Sequence, residues 1–203
     1  MSPRRYTLYV ESRDRHSPGV SPELAKSIIT TARERLRPFL GSLTITREIT
    51  SFDLPATSYL GEQAFLPPDR RAILLTTKEP YVPGAPRAVG VRRQYTYANG
   101  NVARSHIIAQ VSHTMTNTSD MIYNAASVLS HEVCHDYEIG HCAVVTCLMA
   151  EAQQSDNDGA MLMKIPNPFC RDHRDELAAI SGLPKVPLTS EVSPIELHVS
   201  LGS

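Results

Sequence analysis

Apolar spacing divides the chain into short strands and three helices. Tyr6 to Val10 is a compact run of β-forming residues and reads as a strand. Leu24, Ile28, Ile29, Ala32 and Leu36 then recur at helical spacing behind Ser21-Pro22-Glu23, which supplies an N-cap, a proline at the first helical position and an acid in the first turn. Pro38 is expected to stop this helix, which gives residues 22–37. Leu43 to Ile49 and Arg71 to Thr77 read as further strands. Ala88 to Tyr97 and Arg104 to Val111 flank Asn99-Gly100, a turn dipeptide, and read as a hairpin whose first arm lies at a sheet edge. Behind the caps offered by Thr118-Ser119-Asp120, the stripe Met121, Ala125, Val128 and Leu129 predicts a second helix, and Asp172 to Ile180 predicts a short third one. This order of elements implies an α/β fold.

Length and charge narrow the class. The 203 residues suit one domain with a small appended part, and a formal charge of −1 leaves no electrostatic footprint for nucleic acid or anionic lipid. No apolar run reaches the roughly 18 residues of a membrane span, and the first ten residues lack the apolar core of a secretory signal, so an intracellular location is expected. All four cysteines (Cys134, Cys142, Cys147, Cys170) fall in the C-terminal third, together with His131, His135, His141 and His173. In a reducing compartment that clustering reads as metal ligation rather than disulfide bonding.

Two constellations carry the chemistry. His131-Glu132-Val-Cys-His135 places two imidazoles one turn apart on one helix face, with Glu132 beside them as a general base. His141 lies ten residues beyond His131, about 15 Å further along a continuous helix. It can join the pair only if the helix stops and the chain turns back between Tyr137 and Gly140, and Gly140 is available to take the left-handed conformation of such a stop. Three neutral imidazoles would leave one open position on a zinc ion, as in a catalytic site. The second constellation is Cys142 and Cys147, spaced C-x4-C, with Cys170 and His173, spaced C-x2-H. Four such ligands would close a tetrahedral zinc and make it structural. Cys134, inside the first motif, points away from both histidines and reads as a small core residue.

The run His131-Glu-Val-Cys-His135-Asp-Tyr-Glu138-Ile-Gly-His141-Cys142-Ala-Val-Val-Thr-Cys147-Leu-Met149 resembles the signature of the archaemetzincins, a branch of the metzincin zinc peptidases, H-E-x-x-H-x-x-G-x-x-H-C-x4-C-x-M. Tyr81-Val-Pro-Gly84 also looks like that family, and the likeness covers residues 4 to 182. The resemblance implies a metzincin-like fold: a twisted, mostly parallel sheet with an antiparallel edge strand, an active-site helix and a smaller zinc-stapled C-terminal subdomain. It implies an N-terminal α/β part over 1–140, a stapled part over 141–182, and a tail over 183–203. It further implies two zinc ions, one catalytic on His131, His135 and His141 and one structural on Cys142, Cys147, Cys170 and His173. Glu132 would be the general base, and Met149 the residue of the Met-turn beneath the catalytic zinc. The expected substrate is a peptide or unfolded polypeptide, cut by a monomeric enzyme.

The chain departs from the family pattern in three places. His173 stands where the family has cysteine, the interval from Met149 to Cys170 is longer, and Glu138 occupies the metzincin glycine position. A glutamate forced into the left-handed region costs about 1–2 kcal/mol unless Gly140 takes over the turn. That substitution motivates a second reading, a catalytically inactive zinc-binding module. A third, a nuclease with the ligand spacing H-x3-H-x5-H, fits neither the cysteines nor the near-zero charge.

Overall fold

Strand β1 (Arg5–Glu11) is buried at every position after the first, as a strand covered on both faces must be. A computed structural model describes residues 4–14, 17–57, 59–61, 65–82, 88–96, 102–113, 115–150 and 167–184. After β1 come helix α1 (Pro22–Leu40), β2 (Thr44–Phe52), the two-residue β3 (Tyr59–Leu60), β4 (Arg71–Thr76), the two-residue β5 (Glu79–Pro80), β6 (Gly90–Thr96), β7 (Val102–Gln110), α2 (Thr118–Asp136) and α3 (Arg171–Ser181). Five strands form one sheet in the order β2-β1-β4-β7-β6. β2, β1, β4 and β7 are mutually parallel, and β6 closes one edge antiparallel to β7. The expected edge arm is therefore an edge strand, while its Asn99-Gly100 turn lies outside the described residues.

Strand alternation splits the core in two. Leu8, Val10, Ile73, Leu75, Ile107 and Ala109 face the helices and join residues of α1 and α2 in the larger cluster. Tyr9, Ala72, Leu74 and Ile108 point to the other face, where Leu54, Leu60 and Phe65 cover them. The larger cluster also takes in Cys147, Leu148, Met149, Phe169 and Leu177, so the segment after residue 141 shares the core of the sheet. Tyr59–Leu60 and Glu79–Pro80 pair as a separate two-stranded ribbon, which the sequence pattern did not suggest.

Two expected boundaries move. Ser21 caps α1 as predicted, its hydroxyl accepting from the Leu24 N–H at 3.2 Å. The helix then runs through Pro38 to Leu40 and closes with the Gly41 N–H on the Arg37 carbonyl, 3.1 Å away. Proline in the last turn forfeits one hydrogen bond, and the burial of Phe39 and Leu40 in the core outweighs that loss. β2 extends three residues past Ile49 because Phe52 packs edge-on to Tyr9 at the sheet's second face.

Candidate metal centre

Helix α2 carries the first motif. Asn117, one residue before the expected caps, accepts from the Ser119 N–H at 2.8 Å. Ala125, Ala126, Leu129 and Val133 bury the stripe that seats the helix. Its C-terminal end is anchored by Asp136, which is only 4% exposed. The Tyr6 hydroxyl donates to this carboxylate at 2.8 Å, Ser105 also donates to it, and Arg4 and Arg71 pair with it at 2.9 and 3.2 Å. Burial alone would raise this carboxyl, but the hydrogen bonds from Ser105 and Tyr6 and the charges of Arg4 and Arg71 hold it below the usual range. The turn bearing His135 is thus tied to β1, β4 and β7 at once.

The helix stops where His141 requires it to. The Glu138 N–H bonds to the His135 carbonyl at 2.9 Å and the Ile139 N–H to the Cys134 carbonyl at 3.2 Å, a Schellman closure. The left-handed residue of this closure is Glu138, with φ 68°, and Gly140 is not left-handed. Of the two positions open in the sequence, 138 and Gly140, the hydrogen-bond pattern assigns the left-handed turn to 138. Ile139, 1% exposed, supplies the apolar contact that goes with the motif.

The reversal brings three ring nitrogens together. The Nε2 atoms of His131, His135 and His141 are 2.9, 3.0 and 3.1 Å apart. Zinc–nitrogen bonds of about 2.0–2.1 Å at tetrahedral angles call for nitrogens about 3.3 Å apart, close to this triangle. The opposite ring atoms are occupied: His131 Nδ1 donates to the Leu148 carbonyl and His135 Nδ1 to the Ile139 carbonyl, each at 2.8 Å. A carbonyl can only accept, so both neutral rings turn bare Nε2 lone pairs toward the centre. A proton on His141 could satisfy one of them, not both. Burial lowers the basicity of both rings, His131 to about 4, so neither carries the missing proton near neutrality. The donor set fits a divalent cation.

Glu132, the residue after His131 on α2, is 7% exposed. Burial pushes its carboxyl up to about 8, against the main-chain N–H of Arg92 and the Arg92 charge, which pull it down. Edge strand β6 can come this close because residue 90 is glycine: a Cβ there would meet Val128 Cγ1 at 2.6 Å and Glu132 Oε1 at 2.9 Å. Sequence reasoning missed Gly90, Arg92 and the Leu148 and Ile139 carbonyls, because main-chain groups and a missing side chain leave no signature in a motif.

The second constellation also converges. One donor atom from each of Cys142, Cys147, Cys170 and His173 lies within 4.8 Å of all the others. Cys147 Sγ and Cys170 Sγ lie 3.2 and 3.5 Å from His173 Nδ1, and the Cys170 N–H points at Cys147 Sγ at 3.3 Å. Cys170 occupies the N-cap position of α3 without spending its side chain on the cap. Burial drives the Cys147 thiol up to about 12, so a thiolate there needs a cation. The two sites share one loop: the Cys142 N–H bonds to the Met149 carbonyl at 2.9 Å, and the neighbouring Leu148 carbonyl holds His131. Met149 is fully buried, and so is Cys134, its thiol raised by burial as expected of a core residue.

No protein-family model matches the sequence, and no curated protein matches it. Solved structures do match in fold. The chain is similar to an archaemetzincin from Methanopyrus kandleri, with a TM-score of 0.60, 20% identity, and coverage of 89% of this chain and 98% of that one. It is similar to an archaemetzincin from Archaeoglobus fulgidus complexed with malonate (0.53, 16%, 87% and 99%). It also resembles a zinc-dependent peptidase from Methanocorpusculum labreanum (0.52, 15%, 86% and 100%). The fold is the archaemetzincin fold.

Proposed function

We propose that this chain is a zinc-dependent peptidase with an open metal site on His131, His135 and His141 and with Glu132 as general base. The observation that carries the proposal is the pair of bare Nε2 lone pairs, each aimed inward by a main-chain carbonyl on the far side of its ring. Zinc bound there supplies Lewis acidity, which lowers the pKa of water and polarises a peptide carbonyl. The chain supplies the proton handling and the track. Glu132 takes a proton from the attacking water and delivers it to the leaving nitrogen. The Gln110 N–H bonds to the Val89 carbonyl, so the ladder alternation leaves the main-chain groups of Gly90 and Gln94 and the Arg92 carbonyl on the open side of β6. An extended peptide or unfolded polypeptide pairs there and runs past the site.

Cys142, Cys147, Cys170 and His173 hold a second, closed zinc that staples residues 141–182 to the rest of a single domain spanning 1–182, with Met149 as the Met-turn residue. The working unit is a monomer inside the cell. Among the described residues no helix is long and apolar enough to cross a membrane. The inactive-module reading rests on Glu138 replacing a glycine, and Glu138 makes that turn with a left-handed backbone.

The test is Glu132→Gln, assayed with a mixed peptide library and by metal analysis. The variant should keep its zinc and lose hydrolysis. Persistent cleavage would reject the role of Glu132, and a wild-type chain that binds no zinc would reject the site.

A further inference from the structure

Three cations that reach into the fold pair with carboxylates, Arg4 and Arg71 with Asp136 and Lys78 with Glu11, while buried Arg174 leaves its Nε and Nη1 without a partner among the described residues. Arg92 stands elsewhere, on the edge strand. It has no ion pair among the described residues, and its guanidinium rests on the neutral side-chain oxygen of Gln94. Arg92 pairs with Ile107 across the β6–β7 ladder, and Ile107 belongs to the helix-side core, so the Arg92 side chain stands on the face that carries α2. Val91, its neighbour, packs with the cluster on the opposite face. The Arg92 main-chain N–H is held by Glu132, and its charge is felt by both Glu132 and His135. A half-buried cation thus sits on the strand that borders the three imidazoles, one alternation from Gly90, with the neutral Gln94 amide as its side-chain hydrogen-bond partner among the described residues.

We propose that Arg92 is a specificity-determining residue that recognises a carboxylate of the substrate close to the bond being cut. The inference rests on the peptidase reading above and names its substrate class: acidic peptides. Guanidinium and carboxylate match in planar, two-pronged geometry, and the exchange of a neutral amide for a carboxylate gains a charge-assisted hydrogen bond. The carboxylate could belong to an Asp or Glu side chain or to a peptide C-terminus. Both offer the same chemistry.

The experiment uses the zinc-loaded chain and quenched peptides in matched pairs. One arm scans Glu against Gln along the peptide, and the other compares a free C-terminal carboxylate with its amide. The wild type should prefer one acidic member by about tenfold in kcat/KM, the scale of one charge-assisted contact. The arm that shows the preference identifies the source. Arg92→Gln should collapse the ratio to near one, Arg92→Lys should keep part of it, and higher salt should shrink it. Labelled versions of the same peptides, titrated into the zinc-loaded Glu132→Gln chain, read the preference as Kd without turnover; adding Arg92→Gln should abolish it there too. A wild-type ratio of one, or a ratio that survives Arg92→Gln in both cleavage and binding, overturns the inference. Absence of all cleavage by a zinc-loaded wild type instead refutes the peptidase reading, and the binding titration still decides for or against Arg92.

Discussion

Glycine at position 138 should make the protein more stable. Glu138 holds φ 68° in the closure of α2, where its own N–H and that of Ile139 bond back to the His135 and Cys134 carbonyls. An L-residue in the left-handed region costs about 1–2 kcal/mol through the clash of its Cβ with the neighbouring carbonyl. Glycine avoids that clash but gives the unfolded chain more freedom, which returns about 0.4–1 kcal/mol. The glutamate side chain is exposed, so no buried packing is lost with it. The net gain from Glu138→Gly is then about 0.5–1 kcal/mol, a rise in Tm of roughly 1–4 °C for a chain of this length. Urea and thermal unfolding would measure it at one saturating zinc concentration, because bound metal stabilises the native state by mass action. Glu138→Ala separates the causes, since alanine keeps the clash and removes the charge. Equal gains from Ala and Gly would show that the side chain, not the backbone, was the burden. No gain from Gly would refute the strain argument altogether.

Asp136→Ala should cost about 3–5 kcal/mol in urea unfolding, because it strands Arg71, Arg4 and the Tyr6 hydroxyl against a vacated buried site; a loss below about 1 kcal/mol would mean that the network does not anchor α2. Burial lowers the His106 imidazole, whose Nδ1 is buried without a partner among the described residues, so the unfolded chain binds the proton first as pH falls below about 6.5 and stability drops from there toward the lower folded pKa. His106→Leu should flatten that acid-side loss relative to wild type between about pH 7.5 and 5.5, and a difference between the two chains that does not change with pH would exclude His106 as its source. Metal analysis should find two zincs per chain, with mild chelation removing the one near exposed His141 first. Cys147→Ala should lose the retained ion and unfold far more readily, and a variant that keeps both ions would remove Cys147 from the ligand set.

The two candidate ligand clusters were legible in the sequence because metal chemistry restricts residue type and spacing, and spacing on a helix translates directly into direction. His131 and His135 share a face by periodicity alone, and the short C-x4-C and C-x2-H intervals constrain their own geometry. Ser21-Pro22-Glu23 and the stripe from Leu24 to Leu36 located α1 in the same way, and the edge position of β6 followed from its local composition. Each of these inferences needs only neighbours within a turn or a ladder step.

What escaped the sequence depends on groups far apart in the chain. Whether Pro38 ends a helix is decided by how much of Phe39 and Leu40 the core can cover. That Glu138 rather than Gly140 turns left-handed is decided by which N–H reaches the Cys134 and His135 carbonyls once Ile139 is buried. Asp136 reads as one more surface acid until β1, β4 and β7 bring four donors to it, and Arg92 reads as an ordinary strand arginine until the sheet order puts β6 beside α2. Local spacing specifies which atoms are able to bind a metal. Only the packed fold settles which carbonyls orient those rings, which cation borders them and which strand stays open beside them, because these relations are set by burial and by hydrogen bonds that close over long stretches of chain.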